Sequence, residues 1–135
     1  MKIFFDTNIV LDMLAKREGY RDVVSILEKL DQRKHHIYIT SLTVANTAYI
    51  LRRLPREEML KHISSLYSQY DILSLSGMEI SNSLKTDFTD YEDCLQILCA
   101  ESKGCDVIVT RDKKHFDPYT EIPVIAPQEF VAALR

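Results

Sequence analysis

Met1-Lys2-Ile3-Phe4-Phe5-Asp6-Thr7-Asn8-Ile9-Val10-Leu11-Asp12 is the stretch whose reading decides the fold. Ile3, Phe4 and Phe5 form a short apolar, aromatic-rich run of the kind that packs well in a pleated sheet. The run stops on Asp6. Thr7 or Asn8 is then placed to cap a helix whose first turns hold Ile9, Val10, Leu11 and Leu14. A buried strand here presents Asp6 at its C-terminal end, the edge at which ligands bind in open α/β sheets. Asp6 either accepts hydrogen bonds from the turn beneath it or takes part in chemistry. The choice depends on whether other carboxylates reach the same edge.

Outward from that stretch, helical and strand patterns alternate. Val23, Val24, Ile26, Leu27 and Leu30 recur at helical spacing after a polar break at Lys16–Gly19, and the pattern ends in the polar Gln32–His36. Ile37-Tyr38-Ile39-Thr40 reads as a strand. Ser41 or Thr43 can cap a following helix with Val44, Ala45, Ala48, Tyr49 and Leu51 on its apolar side. Pro55 suits the start of the next helix, which carries Met59, Leu60, Ile63, Leu66 and Tyr67. Asp71–Leu75 is a third strand, followed by a short helix over Met78–Leu84 and an acidic run from Asp87 to Asp93. Asp93–Lys103 is helical and Gly104 is a natural C-cap. Asp106–Thr110 is the clearest central strand. Ile122–Ile125 is an edge strand, since Pro123 cannot donate to a ladder, and Pro127 opens a terminal helix. This order is that of an α/β parallel sheet covered on both faces, and no linker divides the 135 residues, so one domain spanning 1–135 is expected.

Composition narrows the class. Apolar residues make up 46% of the chain and Gly and Pro are scarce, as in an ordered globular protein. The net charge of -3 supplies no whole-molecule field towards nucleic acid, although local basic patches can. No run is long enough to span a membrane, and Met1-Lys2 leads into a strand without a secretory pattern. Cys94, Cys99 and Cys105 are odd in number and lack C-x-x-C spacing. Reduced, packed thiols in a cytoplasmic protein are the expectation.

The chemistry gathers where strand ends meet helix starts. Asp6 ends the first strand, Asp93 opens a helix with Asp90 three residues before it, and Asp112 follows the central strand by two residues. If the first and fourth strands are neighbours, these acids converge. Clustered carboxylates raise one another's pKa unless a cation is bound, and oxygen-only ligation suits Mg²⁺ or Mn²⁺. Each acid also has a local explanation. Asp90 can be an N-cap with Asp93 at N3, Asp112 can stabilise a turn, and Asp87 and Glu92 fit a solvated face. Thr7, Asn8 and Thr110 are candidates to hold the acids in place. His35, His36 and His62 form no metal set, whereas His115 is near enough to touch a substrate phosphate.

Three segments together resemble the PIN-domain family, in particular its VapC-toxin-like branch. Phe5–Asp12 is similar to the family's first motif, an acid followed by Thr-Asn. Asp90-Tyr91-Glu92-Asp93-Cys94-Leu95-Gln96 resembles its third acidic motif, with Asp93 at the ligand position. Ile108–Phe116 resembles its last motif, here Thr110-Arg111-Asp112 ahead of Phe116. The resemblance spans the whole chain, and three motifs in this order are more specific than any one. There is one departure. The family's second acid, usually Glu, corresponds to Asn46, as in a branch that also carries Asp-x-Glu-Asp. Asn46 could orient a water or ligate through its carbonyl, with Asp90 or Glu92 restoring the charge.

The resemblance implies a three-layer α/β/α sandwich with a parallel sheet in the order 3-2-1-4-5. It implies a metal-dependent endoribonuclease in which Asp6, Asp93 and Asp112, with Asp90 and Asn46 beside them, hold Mg²⁺ or Mn²⁺. Thr7, Asn8, Thr110, Arg111, Lys113 and His115 would meet the RNA, with Lys114 beside them and Arg52, Arg53 and Arg56 as further backbone contacts. It also implies a homodimer and, for toxins, a small antitoxin; an exposed apolar patch between Val44 and Tyr67 is where a partner would dock. A non-catalytic RNA-binding protein on the same fold is the alternative, with Asn46 as its supporting feature.

Overall fold

The protein is described by a computed structural model covering residues 1–30 and 34–134; Gln32 and Arg33 of the polar stretch expected after the second helix lie outside these residues. Among these residues the strands are β1 (Lys2–Phe5), β2 (His36–Thr40), β3 (Asp71–Leu73), β4 (Val107–Val109) and β5 (Val124–Ile125). They form one sheet in the order β3-β2-β1-β4-β5, and every pairing is parallel. The expected order is therefore present, with β1 at the centre and the proline-preceded β5 at an edge.

Among the described residues the helices are α1 (Thr7–Ala15), α2 (Tyr20–Lys29), α3 (Ser41–Ile50), α4 (Arg56–Gln69), α5 (Gly77–Ser83), α6 (Tyr91–Lys103) and α7 (Lys113–Phe116), which lie between strands, and α8 (Pro127–Ala133), which follows the last one. A 3₁₀ turn, Asp117–Tyr119, follows α7. Side chains alternate across β1 with period two, and that alternation builds two cores. Ile3 and Phe5 pack with Ile9, Val10, Val23, Ile26, Leu66 and Phe130 on one face. Phe4 packs with Ile97, Ala100, Ile108 and Phe116 on the other. The result is the three-layer α/β/α sandwich.

Local chemistry departs from the sequence expectations at two helix starts. α1 begins at Thr7 with Asp6 in the cap position, yet no side chain caps it; the Asp6 carboxylate is engaged elsewhere. α3 is capped by Thr40, whose Oγ1 accepts from the Thr43 N–H at 3.1 Å, because β2 runs into the helix without a loop. The buried face of α3 also differs. Thr43 and Thr47 point inward, whereas Tyr49 is 65% exposed. The two threonines can be buried because their hydroxyls are partnered, Thr47 Oγ1 donating to the Thr43 carbonyl at 2.8 Å. Between α1 and α2 the chain turns through left-handed Lys16 (φ 50°) and Gly19 (φ 91°), the latter a conformation open to glycine at little cost.

Candidate active site

The parallel pairing of β1 and β4 sets Phe5 beside Val109, so the next residues, Asp6 and Thr110, leave the sheet side by side. The Asp6 N–H still donates to the Val109 carbonyl at 3.1 Å. Thr110, fully buried, donates its hydroxyl to Asp6 Oδ2 at 2.9 Å and accepts from the Asp112 N–H at 3.0 Å. One hydroxyl thus fixes two of the acids. Asn8, in the first turn of α1, donates to Asp112 Oδ2 at 3.3 Å. From the opposite side, α6 begins with Asp90 as its N-cap, Oδ1 accepting from the Asp93 N–H at 3.0 Å. The local role considered for Asp90 is therefore real. It also orients Asp93 into the same pocket.

That pocket lies at the C-terminal edge of the sheet, and Asp6, Asp90, Glu92, Asp93 and Asp112 line it together with Asn46 and His115. Water centres can occupy about 380 Å³ of it. His115 Nδ1 lies 3.5 Å from Asp93 Oδ2. Asn46 takes the position expected for the second acid, and its amide donates to Glu92 Oε1 at 2.7 Å. Glu92 is exposed, as the solvated-face reading has it, and also lines the rim of the pocket.

The electrostatics are those of crowded anions. Asp6 is only 2% exposed and its pKa is pushed up to about 7, by desolvation first, then by the charges of Asp93 and Asp112 against the pull of the Thr110 hydrogen bond. Asp93 is pushed up to about 6 by burial and by Asp90 and Asp112, with His115 opposing. No three His, Cys, Asp or Glu side chains among the described residues are close enough to form a ready-made ion-holding group. The acids share a pocket rather than a closed cage. This open, all-oxygen donor set fits Mg²⁺ or Mn²⁺, which keep several waters and bind directly through few carboxylates.

The chain matches the PIN-domain family model over residues 2–114. The chain belongs to the PIN-domain family. It is 24% identical to ribonuclease VapC1 of Aquifex aeolicus, over 96% of this chain and 92% of that protein. In fold it is similar to VapBC-1 from nontypeable Haemophilus influenzae (TM-score 0.74, 17% identity, 95% of this chain and 99% of that one). It is also similar to VapBC2 from Rickettsia felis, solved with a promoter DNA fragment (TM-score 0.72, 17% identity, 93% and 98%).

Not every candidate of this PIN-family chain reaches the pocket. Thr110 sits behind it, holding Asp6 and Asp112. Arg111 forms a side-on pair with Asp12, Nε to Oδ2 at 2.7 Å and Nη2 to Oδ1 at 3.0 Å, which ties the loop after β4 to α1. Lys113 reaches Glu129 at 3.4 Å and stays half-exposed. Thr7 lines the pocket but commits its hydroxyl to a buried network. Gln96 Nε2 donates to Thr7 Oγ1 at 3.0 Å, and its Oε1 accepts from Thr40 Oγ1 at 3.2 Å. Thr7 and Thr43 hydroxyls meet at 2.7 Å. Gln96 thus links α1, α3 and α6, the helices that carry Asn8, Asn46 and Asp93. Sequence reading passed over its role and that of Asp12. The available signal was a glutamine inside an otherwise apolar helical run.

Proposed function

We propose that this chain is a divalent-metal-dependent endoribonuclease acting in the cytoplasm on single-stranded or structured RNA, as the toxin of a toxin–antitoxin pair. The observation that carries the reading is Asp6: a buried carboxylate with no cationic partner among the described residues, sharing one open pocket with Asp93 and Asp112. Uncompensated buried charge is costly, and a cation offsets that cost when bound. Similarity to ribonuclease VapC1 supports RNA as the substrate.

Asp6, Asp93 and Asp112 are the residues that would hold the ion, with Asp90 close by. Bound there, Mg²⁺ or Mn²⁺ supplies Lewis-acid stabilisation to phosphoryl oxygens. Thr110 and Asn8 orient the acids, and the Asn46–Glu92 pair adds a further anion near the rim. His115, beside Asp93, is placed to donate to a phosphate oxygen. Lys113 and Lys114 contribute backbone attraction; Arg111 acts first as a strut.

Exposed Tyr49, Ile50, Leu60 and Tyr67 on α3 and α4 support this face as the contact for a second copy or an antitoxin, and the VapBC-type structural neighbours support an antitoxin partner. Among the described residues no helix is long and apolar enough to cross a membrane.

The test is a cleavage time course on a mixed RNA pool. Wild-type protein should cut in Mg²⁺ or Mn²⁺ and stop in EDTA. Asp6→Ala, purified identically, should lose more than about a hundredfold in rate, since even partners of metal ligands cost ~10–100-fold. Equal cleavage by both proteins would assign the activity to contamination. The second reading, a non-catalytic RNA-binding protein, draws on Asn46 standing where an acid is expected. Tight RNA binding without cleavage in either metal would establish it.

A further inference from the structure

We propose that a second cavity, beside the acidic pocket, receives one unpaired nucleobase next to the scissile phosphate and prefers bases that carry an amino group. The inference rests on the ribonuclease reading for the identity of its ligand. The cavity lies between the Thr86–Asp90 loop, α6 and the 3₁₀ turn. Cys94 and Ile97 of α6, both buried, line it on the apolar side, with the aromatic rings of Phe88 and Tyr119. A hydrogen bond between the Thr89 and Tyr119 hydroxyls ties the loop to the turn, so the two aromatic residues are held in relation to each other. Asp90 and His115 line this cavity and the acidic pocket alike, which makes the two spaces neighbours through shared walls. A nucleotide whose phosphate sits at Asp93 and Asp112 can therefore place an adjoining base here.

The cavity is small, with about 60 Å³ open to water centres, and has no room for more than a single base. Its lining supplies the chemistry. Aromatic side chains accept the π-face of any base, so Phe88 and Tyr119 supply affinity without selection. Asp87 and Glu101, also at the cavity, supply the selection. Carboxylates only accept hydrogen bonds and would repel a phosphate. Guanine offers N1–H and the N2 amine side by side, and adenine and cytosine offer one amine each. Uracil offers a single N3–H between two carbonyl oxygens. The order expected is guanine first and uracil last.

The experiment is a titration of the ¹⁵N-labelled full chain in EDTA, without RNA, using guanosine, adenosine, cytidine and uridine as probes and N-acetyltryptophanamide as a control. Guanosine should shift the amides of residues 86–90, 115 and 119, binding about tenfold tighter than uridine, the return of one hydrogen bond to a charged group. Tyr119→Ala should weaken every nucleoside. Glu101→Gln, which keeps an oxygen to accept from the Thr120 hydroxyl, should narrow the gap between guanosine and uridine. Shifts elsewhere, no shifts, or equal binding of uridine would overturn the proposal. Tighter binding of N-acetyltryptophanamide than of guanosine at the same amides would also overturn it, assigning the cavity to an aromatic side chain of a protein partner. Because neither metal nor cleavage is needed, the titration is independent of the ribonuclease test. A protein that binds guanosine here but cuts no RNA refutes the activity alone. A protein that cuts RNA and gives no nucleoside shifts refutes the pocket alone.

Discussion

Asp6 and Asp12 lie six residues apart in the opening segment and are buried to nearly the same degree, 2% and 1% exposed. Their surroundings are opposite. Asp12 receives the side-on guanidinium of Arg111; burial pushes its carboxyl up while Arg111 and Arg17 pull it back. Asp6 receives a neutral hydroxyl and the repulsion of two more acids. A carboxylate that is buried and paired closes an architectural joint. One that is buried and faces like charge is costly to keep ionised unless a proton or a cation offsets it. Burial alone does not distinguish the two, but the sign of the nearest charge does.

The sharpest way to break this comparison is to neutralise Asp6 in the metal-free protein. Asp6 has a folded pKa of about 7 against 3.8 ordinarily, so between those values the folded state binds more protons than the unfolded one. Stability from this group is complete below about pH 4 and falls as pH rises through about 7. Asp93, raised to about 6, adds to the same slope. Asp6→Asn should therefore stabilise the protein in EDTA at pH 8, by about 2–4 kcal/mol, and flatten the dependence of Tm on pH. A lower Tm for Asp6→Asn at pH 8 would mean that Asp6 is a structural acid after all.

Arg111→Ala should act in the other direction. It removes the side-on guanidinium from buried Asp12 and leaves only the weaker pull of Arg17, a loss of about 2–3 kcal/mol given that Arg111 is itself 44% exposed, measured by urea unfolding. An Arg111→Ala protein of unchanged stability but weakened RNA binding would make Arg111 a substrate contact instead.

A smaller effect tests the link between the two faces of the site. Gln96→Leu removes the amide that joins Thr7 and Thr40 and leaves buried hydroxyls short of partners, which should cost about 1–2 kcal/mol. It should also weaken Mn²⁺ binding by calorimetry, because α1 and α6 carry acids or their orienting groups. Lost stability with unchanged Mn²⁺ affinity would confine Gln96 to packing. The smallest effect is expected for Lys113→Ala. Its exposed pair with Glu129 is worth less than about 0.5 kcal/mol. In RNA binding the same change should lower the salt slope by about one; an unchanged slope would place Lys113 outside the RNA path.

The residues of the sequence by themselves determined the parallel α/β class and the acid-bearing ends, while the strand order followed from the family resemblance. β1, β4 and α6 announce themselves through short apolar runs and helical period, signals carried by neighbours in the chain. Three motifs in sequence pointed to a PIN domain, and Asp6, Asp93 and Asp112 do share one pocket. What only the tertiary structure decided is which polar groups meet across the fold. Arg111 lies 99 positions from Asp12 and Gln96 lies 89 from Thr7. Asn46 meets Glu92 because α3 and α6 converge on one sheet edge. The inward face of α3 follows the same rule, since Thr43 and Thr47 are buried by virtue of their hydrogen bonds while Tyr49 remains outside. Hydrophobic period is a local property and can be read along the chain. The satisfaction of buried polar groups depends on partners that only folding brings within reach.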